Sequence, residues 1–284
     1  MNYQDLLHSP LFPSQITGLV TKASRTRAPI LIQGERGTGK ELIAKIIHYT
    51  GEWKHHRFQK RDCRTLSEEA FANEVSLLSK DRPAGAVPET LFFKEVGALS
   101  QANQFRLLDL MEENLLRGGS DKEPVKPLRF IASSSEDLEE KVSQGRFSED
   151  LHDRFKIVVV RTLPLRDRVQ DIPAIARYLL DEHAQRIEIR NVEISHSVNR
   201  LLKDYWWPGN LRELEQVLVR SAILSEGGDL KVEDLFVKMA GEKNGFASFA
   251  KRADGAAPST PGESSFSKED KNLLWPFFIN FLPI

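Results

Sequence analysis

The sequence predicts an α/β domain, a parallel sheet covered by helices, followed by a small all-helical domain. Three observations carry this expectation. Short apolar, β-rich runs alternate with helical patterns over residues 1–165. A glycine-rich motif sits between the first such run and the helix that follows it, and beyond Pro164 the strand-like runs stop and only helical patterns remain.

In chain order, Ile16, Leu19 and Val20 at helical spacing lead into residues 28–32, a short apolar run closed by Gly34 that reads as a buried strand. A helix begins at 42–47. Residues 90–93, 128–132 and 157–160 read as three further buried strands, separated by helical patterns such as 102–114. From Asp171-Ile172-Pro173, where proline suits a first helical turn, the pattern gives helices at 174–188, 196–204 and 210–225. After Gly241 the chain becomes rich in Gly, Ala, Ser and Pro, as at 255–262, which predicts a flexible linker. It ends in an apolar run at 273–284, too short to cross a bilayer and interrupted by Pro276 and Pro283. That run reads either as a segment docking on the core or on a partner, or as the mark of a truncated further domain. The expected domains are therefore 1–165, 166–240 and a linker with apolar tail at 241–284.

A chain of 284 residues buries a full core without difficulty. Its 40 Lys and Arg against 41 Asp and Glu leave a formal charge of −1, so no global field attracts nucleic acid or an anionic membrane, and any such contact must be local. The single cysteine, Cys63, excludes an internal disulfide framework and a multi-cysteine metal site, and reads as a small buried apolar residue. With no basic, then apolar, N-terminal leader and no run of about 20 apolar residues, a cytoplasmic protein without a membrane span is expected.

The motif that carries chemistry is Gly34-Glu35-Arg36-Gly37-Thr38-Gly39-Lys40, which satisfies G-x-x-x-x-G-K in the strand-to-helix context it requires. The glycines let backbone N–H groups curl around phosphate oxygens, the helix N-terminus adds its positive dipole, and Lys40 brings a point charge to the outer phosphates. A nucleoside triphosphate, ATP, is the expected ligand, held by residues Gly34 to Glu41. Glu41 occupies the place where Ser or Thr ordinarily gives a hydroxyl to magnesium.

Residues 34–48 resemble the GESGTGKE-type loop of the AAA+ domain in sigma-54-dependent transcription activators, the NtrC-type bacterial enhancer-binding proteins, in which glutamate after the lysine is normal. The resemblance continues at 58–66, at 90–100, which is placed like the Walker B strand, and most strongly at 146–173 and 206–216. It implies an AAA+ P-loop domain with a helical lid, a role in transcription regulation, and self-association or assembly with another AAA+ or regulatory protein. Carried over by residue, Lys40 is the phosphate lysine, Arg212 the lid sensor that reaches the nucleotide, and Arg154 an arginine finger acting on a neighbouring subunit's site.

The departures from that pattern are as informative. After Phe93 the family has Asp-Glu, whereas this chain has Lys94-Glu95. An ammonium there repels the magnesium that aspartate orients, so Glu95, the counterpart of the residue that polarises the attacking water, has a poorly held metal beside it. The second finger position is Ser148, the polar sensor segment is Ser133-Ser134-Ser135, and the asparagine that pairs with the Walker B glutamate is replaced by Asp62, where two carboxylates are expected to repel. The GAFTGA loop that touches the sigma factor belongs between Phe71 and Thr90, and nothing like it stands there; no helix-turn-helix follows the lid, so no carrier of direct DNA binding is visible. Three readings follow: an ATP-binding regulator with weak or no hydrolysis, an active ATPase working in a homo- or hetero-oligomer, and a nucleotide-independent scaffold. The retained loop glycines and Lys40 argue against the third.

Overall fold

The computed structural model describes residues 2–79, 89–117, 128–184 and 192–225, together with Leu230 and Leu235. The expected linker and apolar tail lie outside the described residues, as do residues 80–88 and 118–127.

Five strands form one sheet: β1 (Ile30–Gln33), β2 (Arg57–Asp62), β3 (Glu89–Lys94), β4 (Leu128–Ser134) and β5 (Val158–Arg161). Their order is β2-β3-β4-β1-β5 and every pairing is parallel. The three central strands are apolar almost throughout: all seven residues of β4 are buried, as are the first five of β3 and the first three of β1. Such continuous apolar runs belong to strands covered on both faces. On one face Leu31, Leu91, Phe93 and Ala132 pack with Phe71, Leu107, Met111, Leu151 and Phe155. These come from α4 (Glu68–Ser79), α5 (Gln101–Arg117) and α7 (Glu149–Phe155). Alternation along the strands sends Ile30, Ile32, Phe92 and Ile131 to the other face, where α3 (Lys40–Tyr49) lies against β1, β3 and β4. Cys63 is buried, as its apolar reading requires.

Two elements differ from the sequence expectation. β2 is a fifth strand with no buried residue, because it carries Arg, Gln, Lys and Asp at the sheet edge and gains its order from the ladder with β3, Arg57 opposite Glu89 through Asp62 opposite Lys94. Its charges blunt an otherwise open edge. A short helix, α1 (Tyr3–Leu7), also precedes α2 (Ser14–Ser24); an Asn2 side chain caps it.

One buried titratable group gives the fold a pH dependence. His48, with no exposed surface, faces the Thr90 hydroxyl through Nδ1 at 2.8 Å and the His56 carbonyl through Nε2 at 3.1 Å. A carbonyl only accepts, so Nε2 carries the proton and Nδ1 accepts from Thr90. Burial, with Arg129 adding to it, pushes His48 down to about 4. The neutral ring is the one the fold tolerates, so this contribution to stability is complete above the unfolded value of about 6.5 and is lost as pH falls through about 4. A loss of roughly 3 kcal/mol is expected across that window. Urea titrations at pH 7.5, 5.5 and 4 check it, and the loss should shrink in His48→Gln.

Beyond β5 the chain is helical: α8 (Ile172–Ala184), α9 (His196–Asp204) and α10 (Asn210–Leu224), with the short helix α6 (Leu138–Ser143) lying earlier, between β4 and α7. Residues Met1–Gly241 form one compact unit. Within it the N-terminus of α10 meets the loop that follows β1, through the Arg212 N–H donating to the Gly37 carbonyl at 3.3 Å. Among the described residues no helix is long and apolar enough to cross a membrane.

Candidate functional site

The site lies at the carboxyl ends of the parallel strands, where open α/β sheets place their ligands. β1 leads into the glycine-rich loop, and its neighbour β4 and, beyond β4, β3 deliver Ser133 to Ser135 and Lys94-Glu95 at the same end of the sheet. Two glycines are demanded by close approach. At Gly34, φ +147°, a Cβ would stand 1.9 Å from the Thr162 hydroxyl oxygen; at Gly37, φ +80°, it would stand 2.0 Å from the Gly209 carbonyl oxygen. Thr38 is buried and shares a 2.7 Å hydrogen bond with Thr162, which ties the loop to the end of β5.

Lys40 opens α3, capped by Gly39, and its side chain is folded into the loop. Nζ donates to the Gly34 carbonyl at 2.6 Å and the Glu35 carbonyl at 2.9 Å, and lies 3.6 Å from Glu95 Oε1. Burial lowers its pKa and Glu95 opposes that shift. The ammonium therefore sits in a desolvated position rich in backbone dipoles, where an arriving phosphate gains more from it than it would in water. Glu95 holds a left-handed backbone, φ 57°, and its Oε2 accepts from the Ser135 N–H at 2.8 Å and the Ser135 hydroxyl at 2.6 Å. Among the described residues only three non-glycines have positive φ, Glu95, Trp207 and Asn210, and the first and last of these touch this loop.

The expected repulsion between Asp62 and Glu95 is corrected by the structure. Asp62 turns to Arg64, at 2.7 and 3.0 Å, and to Lys94, at 3.5 Å, and the Arg64 guanidinium holds its carboxyl well below the usual range. Glu95 finds its partner in Ser135 instead. Lys94 does not run out to solvent: its Nζ lies between Glu41 Oε2, at 3.7 Å, and Asp62 Oδ2. Glu41 is further held by Lys60 at 2.9 Å and Lys45 at 3.4 Å. Two carboxylates already neutralised by ammonium and guanidinium groups do not fit a magnesium ion, which needs oxygen ligands and no fixed cation among them. Among the described residues no group of three or more His, Cys, Asp or Glu is placed to hold a metal.

The lid is latched to the loop by residues to which the sequence reading gave no such role. Glu35, expected only as part of the phosphate cradle, forms a two-point ion pair with Arg166, one contact being 2.7 Å, and Arg166 stacks at 5.0 Å over Trp206. Asn210 is fully buried and bridges both parts, donating to Glu35 at 3.2 Å and the Arg36 carbonyl at 3.0 Å while its Oδ1 accepts from the Leu165 N–H at 2.9 Å. The Arg166 hydrogen bond lowers the Glu35 pKa. Because the Glu35–Arg166 pair is partly exposed, Glu35→Ala should cost only about 1 kcal/mol. Faster hydrogen exchange at the start of α10, with little change at β4, is the expected readout.

Arg36 and Arg212 are exposed at this end of the loop. Arg154 lies on α7 at the surface, paired at 2.9 Å with Glu112 of its own chain. Ser148 at the other finger position caps α7, its Oγ accepting from the Leu151 N–H at 3.3 Å.

The comparisons with known proteins agree with this architecture. Residues 9–161 match the Sigma-54 interaction domain and residues 166–250 the AAA+ ATPase lid domain. The Nif-specific regulatory protein of Azotobacter vinelandii is 35% identical over 235 residues, covering 78% of this chain and 45% of that protein. The transcriptional regulatory protein XylR of Pseudomonas putida is 34% identical over 251 residues, covering 84% and 44%. The chain thus spans less than half the length of these relatives. Among solved structures, NtrX from Brucella abortus in complex with ATP has the same fold, with a TM-score of 0.69 at 24% identity over 94% of this chain and 59% of that one. With more than half of its residues matched, the chain belongs to the sigma-54 interaction domain family, an AAA+ P-loop domain followed by an AAA+ lid.

Proposed function

We propose that this chain is a transcription-regulating AAA+ protein of the sigma-54-activator type that binds ATP as a ligand and hydrolyses it slowly or not at all. The observation that carries the reading is an intact phosphate loop with a buried Lys40, set beside Lys94 at the position where a magnesium-orienting aspartate belongs. Gly34 to Glu41 and Arg212 are the residues assigned to the nucleotide. NtrX, a protein of the same fold, has been solved with ATP and with ADP, which supports the ligand class. Bound nucleotide would then set the closure of the lid and the assembly of the protein.

The domain limits follow the same reading: nucleotide domain to residue 165, lid from 166 to 240, linker and tail beyond. The partners proposed are further copies of this chain or another AAA+ or regulatory protein, in the cytoplasm. Direct remodelling of the sigma factor is left out, because the interval between Phe71 and Thr90 carries no GAFTGA-like segment.

Isothermal titration with ATP and with ADP tests the reading; absence of heat at about 1 mM nucleotide would sink it. The second reading, a working ATPase, is favoured by one observation, the fixed placement of Glu95 by Ser135 beside Lys40. Arg154 would then act across a subunit boundary after leaving Glu112. A phosphate-release assay separates the two: slow or no turnover is expected, and rapid turnover that vanishes in Lys40→Ala would favour the enzyme.

A further inference from the structure

The position of Lys94 has a chemical meaning beyond the loss of an aspartate. In the described structure its ammonium is not a stray charge at a strand end. It lies 3.7 Å from Glu41 and 3.5 Å from Asp62, with only about a quarter of the side chain exposed. Glu41 is the residue after the phosphate lysine and Asp62 ends the neighbouring strand β2, so Lys94 is held from two sides at the mouth of the loop. Lys94 is thus joined through Glu41 to the position next to Lys40, and its charge opposes protonation of Lys40.

The surrounding groups complete the arrangement. Glu41 and Asp62 would repel a polyphosphate if they stood alone, but Lys45 and Lys60 cover the first and Arg64 the second. Together with Lys40 and Lys94 these make five cationic groups paired with three carboxylates, Glu95 being the third. The edge therefore carries a surplus of fixed positive charge beside the loop. A hydrated magnesium ion entering here would have to part Lys94 from both carboxylates and then remain beside its charge.

We infer that this site binds a nucleoside polyphosphate in its metal-free form, with Lys94 as a tethered cation where relatives of the pattern would use magnesium. The inference rests on the nucleotide-binding reading above and specifies which form of the nucleotide is bound. Lysine is suited to this role as a compact point charge that needs no fixed coordination geometry.

The test is calorimetric titration of the full chain with ATP in excess EDTA and again in excess magnesium. Affinity in EDTA should equal that in magnesium to within about threefold, or exceed it, because magnesium withdraws free ATP. In Lys94→Asp the order should reverse, with magnesium tightening binding by at least about tenfold. Lys94→Met, which keeps an unbranched side chain one atom shorter and removes its charge, should weaken binding in EDTA by about tenfold and create no comparable magnesium dependence. It also carries the test if Lys94→Asp, with three carboxylates gathered, does not fold. Wild-type binding that needs magnesium overturns this inference and leaves nucleotide binding standing. Absence of binding in both buffers overturns both.

Discussion

Lys40→Ala should lower ATP affinity by at least about 100-fold while leaving the fold intact. The lysine is 7% exposed, and in the free protein its ammonium is satisfied by the carbonyls of Gly34 and Glu35 and by Glu95. None of these is a strong anion site except Glu95, and Glu95 keeps both Ser135 donors when the lysine is gone. Removing the ammonium leaves the buried Glu95 with the Ser135 donors alone, which lowers stability without abolishing the fold, whereas a bound triphosphate loses its only buried fixed charge in the loop. Titration calorimetry and a thermal melt on the same preparation check both halves. A variant that still binds with wild-type affinity would mean that phosphate is not held at this loop.

Trp207→Ala should be the most destabilising single change in the lid, by about 3–5 kcal/mol. Its ring is 1% exposed, its Nε1 donates to the Leu202 carbonyl at 2.7 Å, and Tyr205 meets it edge-on at 4.9 Å. Truncation opens a cavity, orphans the Leu202 carbonyl and frees a residue held at φ 51° just before Gly209 and Asn210. Because those two residues dock on the loop, ATP affinity should fall with stability. Urea denaturation read by the remaining tryptophans measures the first effect, and a loss under about 1 kcal/mol would contradict the packing described.

The central strands were legible because continuous apolar runs admit few alternatives, and the phosphate loop because its spacing is demanded by the backbone path around a phosphate. β2 was not, since Arg57 to Asp62 contains a single apolar residue and owes its extension to pairing with β3. At the site, the residue types at Lys94, Glu95 and Ser135 were visible, but not their pairings. Asp62 and Glu95 share a sign and were expected to oppose each other; only coordinates reveal that Arg64, two residues on, draws Asp62 aside. The lid latch was equally hidden, because Arg166 and Asn210 stood inside recognisable segments without any local feature that announces a partner 131 or 175 residues away.

That latch places a restriction on how the sequence can drift. Position 35 lies inside the phosphate loop, yet its carboxylate answers to residues 166 and 210 rather than to a phosphate. A charge reversal at either 35 or 166 leaves the other group facing a partner of like sign, so a reversal at one position is tolerated best when the other reverses with it. The loop and the lid are, in this respect, one inherited unit, and Glu35→Arg should be rescued more fully by Arg166→Glu than by any change elsewhere in the loop.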